Sequence, residues 1–136
     1  MGVLFRNSDI TIYNKYYDIE NDVDKYQRTV IKGVNWQGKR NATVTDKALN
    51  RADSILIFID KLPNYISPKQ FSRLTNEQRI NYFTFSLGDK VVKGEVAFEV
   101  TGLRPNSIAD LENNYDDVVT IIGVSNLSNH WEVESR

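Results

Sequence analysis

Few residues in this chain could do chemistry, and their types restrict what that chemistry would be. The 136-residue sequence holds one histidine, His130, and no cysteine. Thiolate nucleophiles, disulfides and cysteine-ligated zinc are excluded together. A Ser-His-acid triad would need His130, which stands beside Trp131 with no glycine-flanked serine to activate. It reads as a structural histidine next to a packed tryptophan. The run from Asp18 to Asp24 and the pair Asp116-Asp117 offer carboxylate oxygens, but neither has the glycine-containing ligand spacing of a calcium loop. Both read as solvated loops. Gly33 to Gly38 runs into Lys39-Arg40 without the Ser or Thr, or the strand-to-helix context, of a phosphate-cradling loop. Trp36 and Trp131 suggest a sugar-stacking platform, yet tryptophan in a strand pattern serves core or interface first. No cofactor or metal is implied, and the chain reads as a non-enzyme.

Charge placement is more informative than any motif. From Lys25 to Arg51 there are seven bases (Lys25, Arg28, Lys32, Lys39, Arg40, Lys47, Arg51) and one acid, Asp46. From Glu95 to the end the balance inverts: Glu95, Glu99, Asp110, Glu112, Asp116, Asp117, Glu132 and Glu134 face only Arg104 and Arg136. Two such lobes either pair within the fold or join copies head to tail, a heterologous contact that closes into a ring when the rotation permits. Lys39, Arg40, Lys47 and Arg51 against Glu95, Glu99, Asp116 and Asp117 are the residues expected at a subunit or channel-facing surface. A third reading aims the Lys39-Arg40 loop, with Tyr26 and Trp36 nearby, at nucleic-acid phosphate.

The elements that must position these charges are strands. Phe83, Phe85 and Leu87 alternate with Thr84 and Ser86; after Gly88-Asp89, the series Val92, Gly94, Val96, Phe98, Val100 alternates with Lys93, Glu95 and Glu99. That period of two, with a Gly-Asp turn between, predicts a half-buried hairpin around which the sheet is organised. Asp9 to Tyr17 and Tyr26 to Trp36 read as strands, with Gln37 to Asn41 a turn or extended basic loop and Asp46 to Asp53 a polar connection. Ser54 to Ile59 and Val118 to Val124 are continuous β-branched runs and predict strands buried on both faces. His130 to Val133 is a short last strand. Ser67-Pro68, Thr75 with Gln78, and Ser107 with Asp110 are helix-start signals. Residues 1–8 read as an arm with Leu4 and Phe5 as anchors, and 60–82 as an insertion. The expectation is a single all-β domain over 1–136. It is mainly antiparallel, a small barrel or sandwich of about six or seven strands with one or two short helical turns inserted. Trp36, Ile57, Phe85, Val96, Phe98, Ile122 and Trp131 are its expected core. The longest apolar run, Ile55 to Ile59, is far too short to span a bilayer.

Short motifs carry a resemblance across nearly the whole chain. Ile-Thr-Ile-Tyr-Asn-Lys (10–15), Val-Asn-Trp (34–36), Asp46-Lys47, Ser-Pro-Lys (67–69), Gly-Asp-Lys-Val-Val-Lys-Gly (88–94) and His-Trp-Glu-Val (130–133) occur in order. The set resembles small structural proteins of tailed bacteriophages and prophages of Gram-positive bacteria, encoded among head and tail genes. The resemblance implies a head-closure (stopper) or head-tail joining component, made in the host cytoplasm and housed in the virion neck. Such proteins form rings, commonly hexameric, around the DNA channel. The implied partners are further copies, neighbouring connector and tail proteins, and non-specifically the packaged DNA, with no membrane involved. A nucleic-acid-binding small barrel and a carbohydrate- or host-binding module are the alternatives. Aspartate in place of Val96 or Phe98 is expected to unfold the domain by burying an unpaired charge, read as loss of the far-UV circular dichroism of the sheet.

Overall fold

A computed structural model describes residues 6–44 and 49–136, with 39–44 and 49–53 described by their backbone alone. Six strands form one closed antiparallel barrel: β1 Ser8–Asp18, β2 Val23–Val44, β3 Leu49–Asp60, β4 Lys90–Lys93, β5 Val118–Asn126 and β6 His130–Ser135. Their spatial order is β1-β2-β3-β6-β5-β4, and β4 closes on β1 through Ile10↔Lys93 to Tyr13↔Lys90. Closure gives every strand two neighbours, each along part of its length, and so limits the free edges on which small β proteins otherwise aggregate. Of the small all-β barrel or sandwich expected from the sequence, the barrel is the architecture observed, with six strands among the described residues.

Inside, Ile10 and Ile12 of β1, Ile57 and Ile59 of β3, and Val133 of β6 meet with 1% exposure or less. The connection from β3 to β4 plugs one end of this core. Tyr65, Phe83, Phe85 and Trp131 stack there with ring centroids 4.5–5.8 Å apart. Trp36 and Trp131 are both buried in this cluster, so neither offers the exposed indole face that a sugar platform needs. Two helices lie within the connection, α1 Pro68–Arg73 and α2 Asn76–Arg79; a third, α3 Ile108–Asn114, lies between β4 and β5. Each starts at a complete capping box, Ser67 with Gln70, Thr75 with Gln78, and Ser107 with Asp110, because the cap oxygen satisfies an otherwise orphaned backbone N–H.

Several expectations are corrected. The hairpin about Gly88-Asp89 does not form. Gly88 has the expected positive φ of 93°, but its N–H donates to Ile121 O, and Ile121 N–H donates to Asp89 O, so the turn pairs with β5. Phe83, Thr84 and Phe85 are consecutively buried while Leu87 is 67% exposed, which breaks the alternation. After β4, Gly94 takes φ 94° and turns the chain out of the ladder. Residues 95–100 keep the period of two without being a strand. They lie on the outer face of β1 and β2, where Val96, Phe98 and Val100 pack with Tyr13, Val92 and Leu111 in a second core. Their backbone is held by side chains. Thr11 Oγ1 donates to Gly94 O and accepts from Val96 N, Tyr13 Oη donates to Phe98 O at 2.6 Å, and Arg28 Nε donates to Val96 O at 2.6 Å.

The two continuous apolar runs are buried on one face only. In β5, Val119 and Ile121 point inward while Ile122, an expected core residue, is 43% exposed. In β3, Ile57 and Ile59 are buried, with Leu56 and Phe58 between them half-buried. A closed barrel has a single interior, so an oily outward residue stays wet unless another layer covers it. Gln37 to Asn41 and residues 49–53 are strand rather than turn and polar connection, and they pair from Gly38↔Ile55 to Val44↔Leu49. Residues 6–8 are not a loose arm: Arg6 bridges to Asp60 at 2.6 Å, and Asn7 exchanges bonds with the backbone of Trp36. The anchors Leu4 and Phe5 lie outside the described residues. Asp18, expected in a solvated run, is fully buried.

Phe85 and Leu87 share a face in the sequence pattern but not in the fold. Phe85→Ala should lower unfolding free energy by about 3–5 kcal/mol, and Leu87→Ala by no more than about 0.5 kcal/mol, measured by guanidinium denaturation.

Candidate functional site: an assembly surface

The charged residues divide into those the fold neutralises and those it leaves outward. On the outer face, Lys32 pairs with Glu95 at 2.8 Å, and Arg28 approaches Glu99 at 3.9 Å. The lobes of opposite charge therefore do pair within the chain where residues 94–100 cross β2. Glu95 and Glu99, expected at a subunit surface, are engaged in these contacts. Asp116 and Asp117 are different: both are exposed, and neither side chain makes an ion pair among the described residues. They sit in the turn entering β5, where Asp117 O accepts from Lys93 N.

The basic residues Lys39 and Arg40 lie at the C-terminal part of β2, and Arg51 at the start of β3. Their side chains lie outside the described residues, as does all of Lys47; their register is defined by Lys39↔Ser54, Arg40↔Asp53 and Ala42↔Arg51. β1 stops pairing with β2 at Val34, and β6 reaches β3 only from Ile55 onward. Residues 39–44 and 49–54 are therefore a two-stranded ribbon, extending about 20 Å from the barrel at 3.4 Å per residue. Neither outer edge of this ribbon has a strand partner among the described residues, and the same holds for the end of the β1–β2 hairpin, where Asn14–Asp18 pair with Val23–Gln27 alone.

Topology places the ribbon and the acidic turn relative to one another. In an antiparallel barrel, successive strands alternate in direction. The end where β2 runs out and β3 begins is thus also the end where β4 stops and β5 starts. Around the circumference, the β2–β3 junction and the β4–β5 junction are three strand positions apart in a ring of six. The base of the ribbon and the acidic turn therefore adjoin the same end of the strands, three strand positions apart.

Four buried polar side chains, Asn14, Asp18, Arg79 and Asp89, hold the scaffold, and sequence reasoning missed their roles. Asn14 points into the barrel, where its Nδ2 donates to Thr84 O at 2.7 Å and Asp89 Oδ2 at 2.8 Å, and its Oδ1 accepts from Thr84 N. Asp89 Oδ1 also accepts from Lys15 N. Burial without a paired cation pushes the Asp89 carboxyl up to about 6. Asp18 goes the other way: bonds from Lys25 Nζ at 2.8 Å, then Asn21 and Asn76, hold it well below the usual carboxylate range. Arg79, 3% exposed, donates to Phe71 O and Leu74 O at the end of α1 and lies 4.3 Å over the Tyr16 ring. Burial lowers its pKa. Asp18 and Asp89 sat in runs that look like solvent-facing turns, so only the period-two phase of Asn14 with Ile10 and Ile12 hinted at an inward polar group.

No reacting constellation is assembled from these parts. His130 Nε2 stands 3.4 Å from Glu132 Oε1, beside Phe58. Among the described residues no three His, Cys, Asp or Glu side chains converge as metal ligands, and no helix is long and apolar enough to cross a membrane. Two open clefts lie among the described residues. One of about 540 Å³ lies between Pro68, Phe85, Leu87, Ile122 and Val124, and one of about 430 Å³ lies between the β1–β2 turn and α1–α2.

A protein family described as "Family of unknown function (DUF6751)" matches residues 5–136. No curated protein and no solved structure matches the chain.

The two buried carboxylates predict opposite pH effects. Asp89 has a folded pKa above its unfolded value, so its stabilising contribution is complete below about pH 4 and is lost as pH rises through about 6. The loss is up to about 3 kcal/mol for a shift of roughly two units. Asp18 is depressed, so its contribution is present above pH 4 and lost only in stronger acid. Between pH 4 and 7 the denaturation midpoint should therefore fall as pH rises, and Asp89→Asn should flatten that slope.

Proposed function

The chain belongs to the DUF6751 family, of unknown function, and from its architecture and motifs we propose that it is a non-enzymatic structural protein of a phage virion. Its place is the head-tail junction, as a head-closure or tail-attachment component assembled in a ring around the DNA channel. The observation that carries this is the ribbon, residues 39–44 paired with 49–54, standing outside an otherwise closed barrel. An isolated two-stranded ribbon is marginal in water, and a closed barrel has no use for one in its own core. Such a projection is what a subunit needs to reach a neighbour. The resemblance of the 10–15, 34–36, 67–69, 88–94 and 130–133 motifs to phage neck proteins supports the same reading and supplies the setting. Its partners are further copies in a commonly hexameric ring, the adjoining connector and tail proteins, and the DNA passing through. The basic residues of the ribbon suit either a neighbour's acids or that DNA.

A phage genome carrying this gene provides the test. Disrupting the gene should leave packaged heads and finished tails unjoined in electron micrographs, and antibody labelling of intact particles should mark the neck. Normal tailed particles from the disrupted genome would refute the assignment.

A further inference from the structure

We propose that the β2–β3 ribbon is the donor side of a head-to-tail contact between copies, received by the acidic turn Asp116-Asp117 of the next copy. This rests on the reading of the protein as an assembling subunit and names the contact that builds the assembly. The ribbon has no strand partner on either outer edge among the described residues, so a second chain can attach there. Its strands carry Lys39, Arg40 and Arg51 against one acid, Asp53. A second ribbon of the same charge is therefore a poor partner, whereas an acidic surface is a good one. The bases nearer the barrel, Lys25, Arg28 and Lys32, already hold Asp18, Glu99 and Glu95. On the β4–β5 connection Asp116 and Asp117 are exposed without an ion pair among the described residues, while Glu112 is held by Lys90 at 3.3 Å and Asp110 is bonded to Ser107 in the helix cap.

Placement decides between pairing within one copy and pairing between two. Ribbon and acidic turn lie three strand positions apart around the barrel, so the barrel itself separates them in a single copy. Both adjoin the end at which β2 and β4 stop and β3 and β5 start. A heterologous contact of that kind, repeated from copy to copy, closes as a ring when the rotation permits.

Charge reversal tests this on the full-length protein by sedimentation velocity and native mass spectrometry. One variant carries Lys39→Glu with Arg40→Glu, and the other Asp116→Lys with Asp117→Lys. Each alone places like charges across the contact and should weaken self-association on the order of tenfold or more. Mixed in equal amounts they should assemble again, because each variant's ribbon then meets an opposite charge on the other. A misfolded variant could not produce that rescue. Two outcomes overturn the contact and leave subunit assembly standing: variants that assemble like the unaltered protein, or variants that fail alone and stay apart when mixed. An unaltered protein that stays monomeric at every concentration overturns the assembly reading as well.

Discussion

The barrel closes through an amide and a carboxylate buried in its wall. Asn14 follows Ile10 and Ile12 on the inward face of β1, and its side chain holds the backbone of Thr84 and the carboxylate of Asp89 together. That contact fixes residues 83–89 across the barrel end, which sets the aromatic plug of Phe83 and Phe85 against Trp131. It also brings Asp89 O to Ile121 N, and so aligns β4 between β1 and β5. An ionised Asp89 with neutral donors is an expensive way to make a join, since burial opposes its charge. The geometry is specific in return: few other arrangements satisfy both of its oxygens.

A second layer is built on that closed wall by an economy of the same kind. Thr11, Tyr13 and Arg28 project outward and hydrogen-bond the backbone of residues 94–98 from below. Burial pushes the Tyr13 phenol up to about 12, in keeping with a hydroxyl that serves as a neutral donor. The segment needs no neighbouring strand, and Leu111 of α3 seals its far side. Arg79 does the corresponding work at the helical connection, where its guanidinium satisfies the last carbonyls of α1 while its face covers Tyr16. The result is a barrel with padding on two flanks, leaving the ribbon uncovered.

Charge is distributed with a similar asymmetry. Ion pairs across the outer layer engage Lys32 with Glu95 and Arg28 with Glu99, while Asp116 and Asp117 stay exposed without one among the described residues.

Much of the local structure was legible in the chain. Three capping boxes mark the helix starts because a cap needs only a hydroxyl and an N3 partner within four residues. The alternation of β1 and the apolar runs of β3 and β5 mark strands because side-chain period depends on backbone geometry alone. What pairs with what was not legible. Gly88-Asp89 carries a hairpin signal, yet its hydrogen bonds go to β5, since a turn sequence specifies a bend and not the partner of its flanks. Residues 94–100 have a strand's period without a strand's ladder, because a buried-exposed alternation reports one covering surface and says nothing about who donates to the backbone. Ile122 sits in an unbroken apolar run and still faces solvent, since only closure determines that the barrel has one interior. The charged residues could be grouped from the sequence, but whether Glu95 or Asp117 found an ion-pair partner within the chain was decided by which of them the outer layer carried over β2.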